Sequence, residues 1–300
     1  MDVGLSLPVD APLADLAAHA EREGLDYIAS GEHVFFHGPM PSSIVSVSIA
    51  AGATSRIKLL TSVVLLPLYP PALLAKMAAA LDVGSGGRLT LGVGIGGEYP
   101  PEFVACGVDV RTRAGRADEA LPLLDRLLRG ERVEHRGEYY RIDGDAIQPA
   151  PVTRPRPPIW VAGRKPGALR RAALLGDGWL PYLSTPADIA RGRAAIAAER
   201  GERGPFRTVV TAFVRIEEDG DAARRNAGEY ISDLYQQDLR FAAAKWAIAG
   251  SPEECRSRIA EYDAAGADGV IAVLCATRDE YFEMTSRVAA TLRPVEQGAT

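Results

Sequence analysis

Three stretches of this chain repeat one joint. AEREGLDYI, AALLGDGWL and YDAAGADGVI each close an alanine-rich helical pattern on a glycine, Gly24, Gly176 or Gly266. An aspartate follows within two residues (Asp26, Asp177, Asp268), and then an apolar run of strand length. Glycine just past a helix end accepts the left-handed conformation that closes it. A recurring helix–Gly–Asp–strand joint is the αβ loop of a β/α array. The strand-length runs agree: VGLSL from Val3, LDYIA from Leu25, IKLLTSVV from Ile57, LTLGVGI from Leu89, PIWVA from Pro158, GWLPY from Gly178, TVVTAFVRI from Thr208 and GVIAVL from Gly269. Most do not alternate between apolar and polar, which is how strands covered on both faces read. Helical spacing fills the gaps at 12–22, 71–81, 113–129, 167–175, 186–200 and 252–265. Eight such units over 300 residues favour a closed (β/α)8 TIM barrel over an open sheet.

The expectation is therefore one domain over residues 1–300. An insertion is expected at about 98–157, holding a helix, a hairpin at ERVEHRGEYYRI and the proline-rich IQPAPVTRPRPPI. A second, irregular insertion is expected at about 217–250. The net charge is -5 with no basic face, which argues against nucleic acid as a partner. The most apolar stretch, IKLLTSVVLLPL, is too short to span a bilayer, so no membrane partner is expected. The N-terminus lacks a basic segment followed by a long apolar one, so it does not read as a signal peptide. Cys106, Cys255 and Cys275 are scattered and form no C-x-x-C pair, which fits a reducing, cytoplasmic location.

RLTLGVGIGGEYPPEF, from Arg88 to Phe103, raises a different fold. Its Gly92, Gly94 and Gly97 satisfy the G-x-G-x-x-G of dinucleotide-binding proteins. That fingerprint should close a first strand, open a helix directly and precede an acidic residue ending the next strand. Here it follows the fourth strand, Pro100 and Pro101 come next, and the acids at the right distance, Asp118 and Glu119, sit in a helical pattern. Two readings remain open. Gly94, Gly96 and Gly97 either bare the backbone at the barrel mouth for a flat ring or phosphate, or relieve crowding at a barrel corner.

Four long segments carry a resemblance: LDYIASGEHVFF, LLTSVVLLPLYPPALLAKMAAALDVGSGGRLTLGVGIGGE, PRPPIWVAGRKPGALRRAALLGDGWLPY and AGSPEECRSRIAEYDAAGADGVIAVL. In order and spacing the chain resembles the bacterial luciferase-like monooxygenase superfamily, whose members use FMN or coenzyme F420. The resemblance covers nearly the whole chain and is nearer the F420 branch. It implies a (β/α)8 barrel with insertions and a cofactor ring across the mouth. It places Glu32 and His33 beside that ring, with His33 as proton donor or acceptor, a role its chemistry suits. It also implies a non-prolyl cis peptide at Ser62–Val63, pressing on the ring.

Other positions follow from the residues themselves. Glu98 is either a second acid–base group or a solvated loop acid. Gly163, Arg164, Lys165 and Pro166 precede a helix, where free N–H groups and cations make an anion site for the cofactor phosphate. The family usually has a second glycine where Arg164 stands. Phe35, Phe36 and His37 are expected at the pocket or its rim, with Tyr182 as a pocket residue and Trp179 in the core. His33 and His37 have zinc spacing, but flanking glycines and prolines oppose a helix and no third ligand follows, so no metal is expected. Cys275 lacks a base partner, which weakens a nucleophile reading.

The resulting expectation is an F420-dependent oxidoreductase moving hydride to or from a small organic substrate. The alternatives are an FMN monooxygenase served by a flavin reductase, a non-catalytic flavin or F420 carrier, and a cofactor-free barrel hydrolase or aldolase. The resemblance also implies a homodimer.

Overall fold

The computed structural model describes residues 1–293. The chain opens with β1 (Asp2–Ser6), α1 (Leu13–Arg22), β2 (Tyr27–Ser30), α2 (Ser43–Ala53), β3 (Lys58–Thr61), β4 (Val64–Leu65), α3 (Pro71–Ser85) and β5 (Leu89–Gly94). Next come α4 (Pro100–Ala105), α5 (Arg113–Leu128), β6 (Val133–Arg136), β7 (Arg141–Gly144), β8 (Ile159–Ala162), α6 (Pro166–Leu175), β9 (Gly178–Leu180) and α7 (Pro186–Arg200). The last part holds β10 (Arg207–Ile216), α8 (Gly220–Tyr235), α9 (Arg240–Trp246), β11 (Ile248–Gly250), α10 (Pro252–Ala264), β12 (Gly269–Leu274) and α11 (Tyr281–Leu292).

Eight strands close a parallel ring in the order β1, β2, β3, β5, β8, β9, β10, β12 and back to β1. They fall on the eight runs read from the sequence, and the fold is a TIM barrel. Tyr27, Leu60, Trp160, Leu180, Val209 and Ile271 form a cluster distinct from the larger core. That larger core includes Val3, Ile28, Leu59, Leu91, Ile159 and Val210 with the helices. Successive residues such as Tyr27 and Ile28, or Leu59 and Leu60, thus belong to different clusters, as strand geometry requires. Both faces are apolar, so the sequence shows no alternation. No helix of the described residues is long and apolar enough to cross a membrane.

The repeated joint has one physical purpose. The backbone N–H of Asp26 donates to the carbonyl of Val3 (2.7 Å), and the N–H of Val3 donates back to the Asp26 carboxylate (2.8 Å). Asp177 makes the same pair with Ile159 (2.7 and 2.8 Å). Asp268 makes it with Thr208 (both 2.7 Å). Each aspartate clamps the first turn of a neighbouring strand at two points and satisfies a strand-end N–H. Gly24 and Gly266 take positive φ, 77° and 91°. Gly176 does not: its φ is -110°. There the need is space, because a Cβ would lie 3.1 Å from both the Ala172 carbonyl and Val161.

The stretch 98–157 contains α5, which packs on α3 and α6 as a member of the helical ring. What is added to the ring is the 98–112 segment and the antiparallel β6–β7 hairpin at the expected position. Glu119 of α5 holds that hairpin, accepting from the N–H groups of Tyr139 (3.0 Å) and Tyr140 (2.9 Å) and pairing with His135 (2.8 Å). The stretch 217–250 is not irregular as expected. It is mostly helical, and α8 packs on β10 and β11.

Candidate active site

The mouth of the barrel centres on an interruption between β3 and β4. The Ser62–Val63 peptide bond is cis, as the resemblance implies. This bulge is fixed from several sides. The Ser62 N–H donates to the Ser30 carbonyl (2.7 Å), and the Ser62 hydroxyl meets that of Thr211 (3.2 Å). Thr61 locks onto β5, its hydroxyl donating to the Gly92 carbonyl and accepting from the Gly92 N–H, both at 2.8 Å. Beyond the bulge, Glu32 accepts from the Leu65 N–H (3.1 Å) and the Tyr69 hydroxyl (2.9 Å). Glu32 is buried, and that burial raises its carboxyl above the usual glutamate value. Both Glu32 oxygens therefore face the bulge.

The glycine run now has a cause. A Cβ on Gly92 would lie 2.0 Å from the Thr61 carbonyl oxygen, and one on Gly94 would lie 2.6 Å from a Val63 methyl. A Cβ on Gly96 would crowd Leu65 (3.1 Å) and Phe103 (3.2 Å), and one on Gly97 would strike the Arg113 side chain (2.6 Å). What the missing side chains make room for is the protein itself. Crowding accounts for Gly92 and Gly94, which let the bulge seat on β5.

His33 lies in the loop after β2, next to Glu32 in sequence, with a side chain 12% exposed. Its Nδ1 lies 3.2 Å from each oxygen of Glu102, a fully buried carboxylate on α4 that also accepts from the Val34 N–H (3.1 Å). Contact with both carboxyl oxygens suits a donor, so the geometry fits the Nδ1–H tautomer. Nε2 has no hydrogen bond among the described residues. Phe36 stacks on the imidazole with centroids 4.4 Å apart. Glu102 has no counterpart among the sequence expectations. It sits in PPEF, four residues beyond Glu98, with nothing local to mark it.

Glu98 is exposed and makes no side-chain hydrogen bond among the described residues. His37 is exposed and lies in a non-helical segment, against Phe36 and Tyr99. Phe35 is 51% exposed and turns outward; Phe36 is the ring that meets the mouth. Tyr182 bridges to Thr211, and its hydroxyl bonds that of Tyr235 at the end of α8. Burial pushes the Tyr182 phenol well up. Trp179 is core, seated against Gly192, and its indole N–H donates to the Gly163 carbonyl (2.6 Å). Cys275 is buried and its thiol is pushed up by that burial, so it stays protonated.

On the same end of the barrel, Gly163 has φ 118°, and a Cβ there would lie 2.7 Å from the Ala168 methyl. Arg164 and Lys165 are exposed, and one Arg164 Nη donates to the Leu183 carbonyl (2.8 Å). No side chain caps the start of α6, and Pro166 occupies its first turn.

The luciferase-like monooxygenase family model matches residues 8–269. The F420-dependent glucose-6-phosphate dehydrogenase of Kineococcus radiotolerans is 36% identical over 176 residues, 56% of this chain and 51% of that one. The oxygenase component of the flavin-dependent trigonelline monooxygenase of Acinetobacter baylyi is 32% identical over 158 residues, 52% of this chain and 44% of that one. The chain therefore spans about half the length of these two curated relatives. A monooxygenase from Streptomyces bottropensis has the same architecture, with a TM-score of 0.84 and 25% identity over 97% of this chain and 98% of that one. Family members are oxidoreductases and monooxygenases, and these relatives include both F420-dependent and flavin-dependent enzymes. On its match from residue 8 to residue 269, this chain belongs to the luciferase-like monooxygenase family.

Proposed function

We propose that this chain is an F420-dependent oxidoreductase acting on a small organic substrate, with the His33–Glu102 pair at its centre. The observation that carries this is the 3.2 Å contact, in the loops after β2 and β5, between a buried carboxylate and an imidazole whose other nitrogen has no partner among the described residues. The mouth suits a flat ring system with an anionic tail. A backbone bulge fixed at several points offers a firm surface for the ring. The start of α6, where the N–H groups of Ala168 and Leu169 turn back to the Lys165 carbonyl, offers the Gly167 N–H and, with Arg164 and Lys165, positive charge for the tail. When bound, the deazaflavin supplies hydride acceptance or donation.

The chain's own part is proton handling and orientation. His33 takes or gives the substrate proton at Nε2. Glu102 holds the Nδ1–H tautomer and fixes the orientation of the imidazole while that proton moves. Glu32 keeps the bulge in place through Leu65 and Tyr69. Gly94 serves it indirectly, by seating Val63. Gly163 gives the bend that brings Arg164 and Lys165 to the rim.

The chain is further read as a cytoplasmic homodimer. In support, α2 carries no charged residue and exposes Val45 and Ile49, beside exposed Leu73 of α3. An Ile49→Arg variant sedimenting as a monomer where the parent is a dimer is the expected outcome.

Fluorescence titration of the purified protein with F420 and FMN side by side tests the cofactor assignment. Tight F420 binding without FMN binding is expected. Tight FMN binding alone would redirect the reading to oxygen chemistry with a partner flavin reductase, as the oxygenase-component relative suggests. Binding of neither overturns the proposal. His33→Ala should keep cofactor binding and lose turnover, whereas a mere carrier would keep its function.

A further inference from the structure

Aromatic side chains from separate loops meet over the mouth. Phe36, from the loop after β2, packs edge-to-face on Tyr235 at the end of α8, with centroids 5.8 Å apart. Tyr99, from the loop after β5, approaches Phe36 at 6.3 Å. Tyr182, after β9, joins its hydroxyl to that of Tyr235 and packs on Phe213 at 5.9 Å. Segments far apart in sequence thus form one roof, and Phe36 links it to His33 at 4.4 Å.

Burial pushes the Tyr235 phenol well up, so it remains a neutral donor and acceptor. Glu98 and Arg164 both act on that phenol, in opposite directions. Arg164 also gives one Nη to the Leu183 carbonyl. A phosphorylated sugar would need converging cations with free donors. This roof offers aromatic rings, and its two phenols are bonded to each other.

We propose that this roof is the substrate-recognition surface and that it takes a neutral, planar aromatic substrate. The inference rests on the oxidoreductase reading above and names the substrate class of that same site. Ring faces and edges recognise another ring through dispersion and complementary quadrupoles, which a saturated ring of equal size cannot match. A substrate ring seated among Phe36, Tyr99 and Tyr235 lies next to His33, where its proton is handled.

The test uses the full chain loaded with whichever of F420 or FMN it binds. Saturation-transfer titrations compare benzyl alcohol, cyclohexylmethanol and glucose 6-phosphate. Benzyl alcohol should bind about tenfold tighter than cyclohexylmethanol, and glucose 6-phosphate should not displace it. Phe36→Leu and Tyr235→Leu keep apolar volume and should each reduce that preference toward unity while leaving cofactor affinity unchanged. Equal binding of the two alcohols, displacement by glucose 6-phosphate, or a preference surviving both substitutions overturns the aromatic assignment. The prior cofactor titration separates the two failures. A chain that binds cofactor but shows no ring preference refutes this inference alone, whereas one that binds neither cofactor refutes the reading beneath it.

Discussion

At the N-terminal end of the barrel, Asp26, Asp177 and Asp268 repeat one clamp on Val3, Ile159 and Thr208. At the C-terminal end nothing repeats. Glu32, His33, Ser62, Glu102 and Tyr235 each have a single partner set, drawn from distant parts of the chain. The first end solves a problem every β/α unit shares, the closing of a strand end, and solves it locally. The second end solves a problem that arises once. A barrel with this division holds its shape at one end and is free to vary its chemistry at the other.

The comparison predicts two classes of variant that do not cross. The largest effect belongs to the mouth. His33→Ala should lower turnover by about a hundred- to ten-thousand-fold, the usual worth of general acid–base catalysis. Its unfolding midpoint should fall moderately, because fully buried Glu102 loses the imidazole and keeps the Val34 N–H. Steady-state kinetics with the bound cofactor and a denaturation curve on the same sample check both halves. A large fall in stability would merge the two ends and break the comparison.

Next come the clamps. Asp177→Ala should cost about 2–3 kcal/mol, since it frees a strand-end N–H and takes one of two carboxylates from buried Arg156, which keeps Asp125. Asp26→Ala and Asp268→Ala should cost about 1–2 kcal/mol each, the loss of a charge-assisted hydrogen bond to a backbone N–H. Urea unfolding measures the cost, and cofactor titration should show unchanged affinity in all three. If any clamp variant loses cofactor affinity at full stability, that joint communicates with the mouth and the two ends are not independent.

The same division explains what could be read from the sequence. The eight strands and the Gly–Asp joints were legible because their causes are local: apolar runs without alternation, and a helix ending next to a strand. Helix α2 was not legible. Its sequence, SIVSVSIAAGA, mixes serine and β-branched residues that weigh against helix, and packing on α1 and α3 decides the matter. Glu98 stood out because it follows the glycines directly, yet it is exposed. Glu102 lies 69 residues from His33 along the chain, a pairing only the fold creates. The glycines suggested a ligand, but a Cβ at Gly94 would strike Val63, which lies between β3 and β4. Tyr235 lies in a stretch read as irregular, so its place over the mouth had no signal.

The smallest effect is also the most diagnostic of the mouth. Burial raises the Glu32 carboxyl above its ordinary value of about 4.5. The unfolded chain lacks that burial, so folding favours the protonated form. The resulting stability is fully present below the unfolded value and is lost as pH rises through the raised folded value. Glu32→Gln cannot titrate, and its single amide oxygen must serve the Leu65 N–H and the Tyr69 hydroxyl together. Unfolding free energies of parent and variant across the acid range should therefore differ most in the parent's favour at the lowest pH. The parent's advantage should shrink as Glu32 ionises. A difference that stays flat with pH would mean that Glu32 ionises as freely as a solvated glutamate. The bulge would then be held by its backbone contacts and the Ser62–Thr211 hydroxyl pair alone, and the mouth would depend on fewer unique residues than the contrast with the clamps implies.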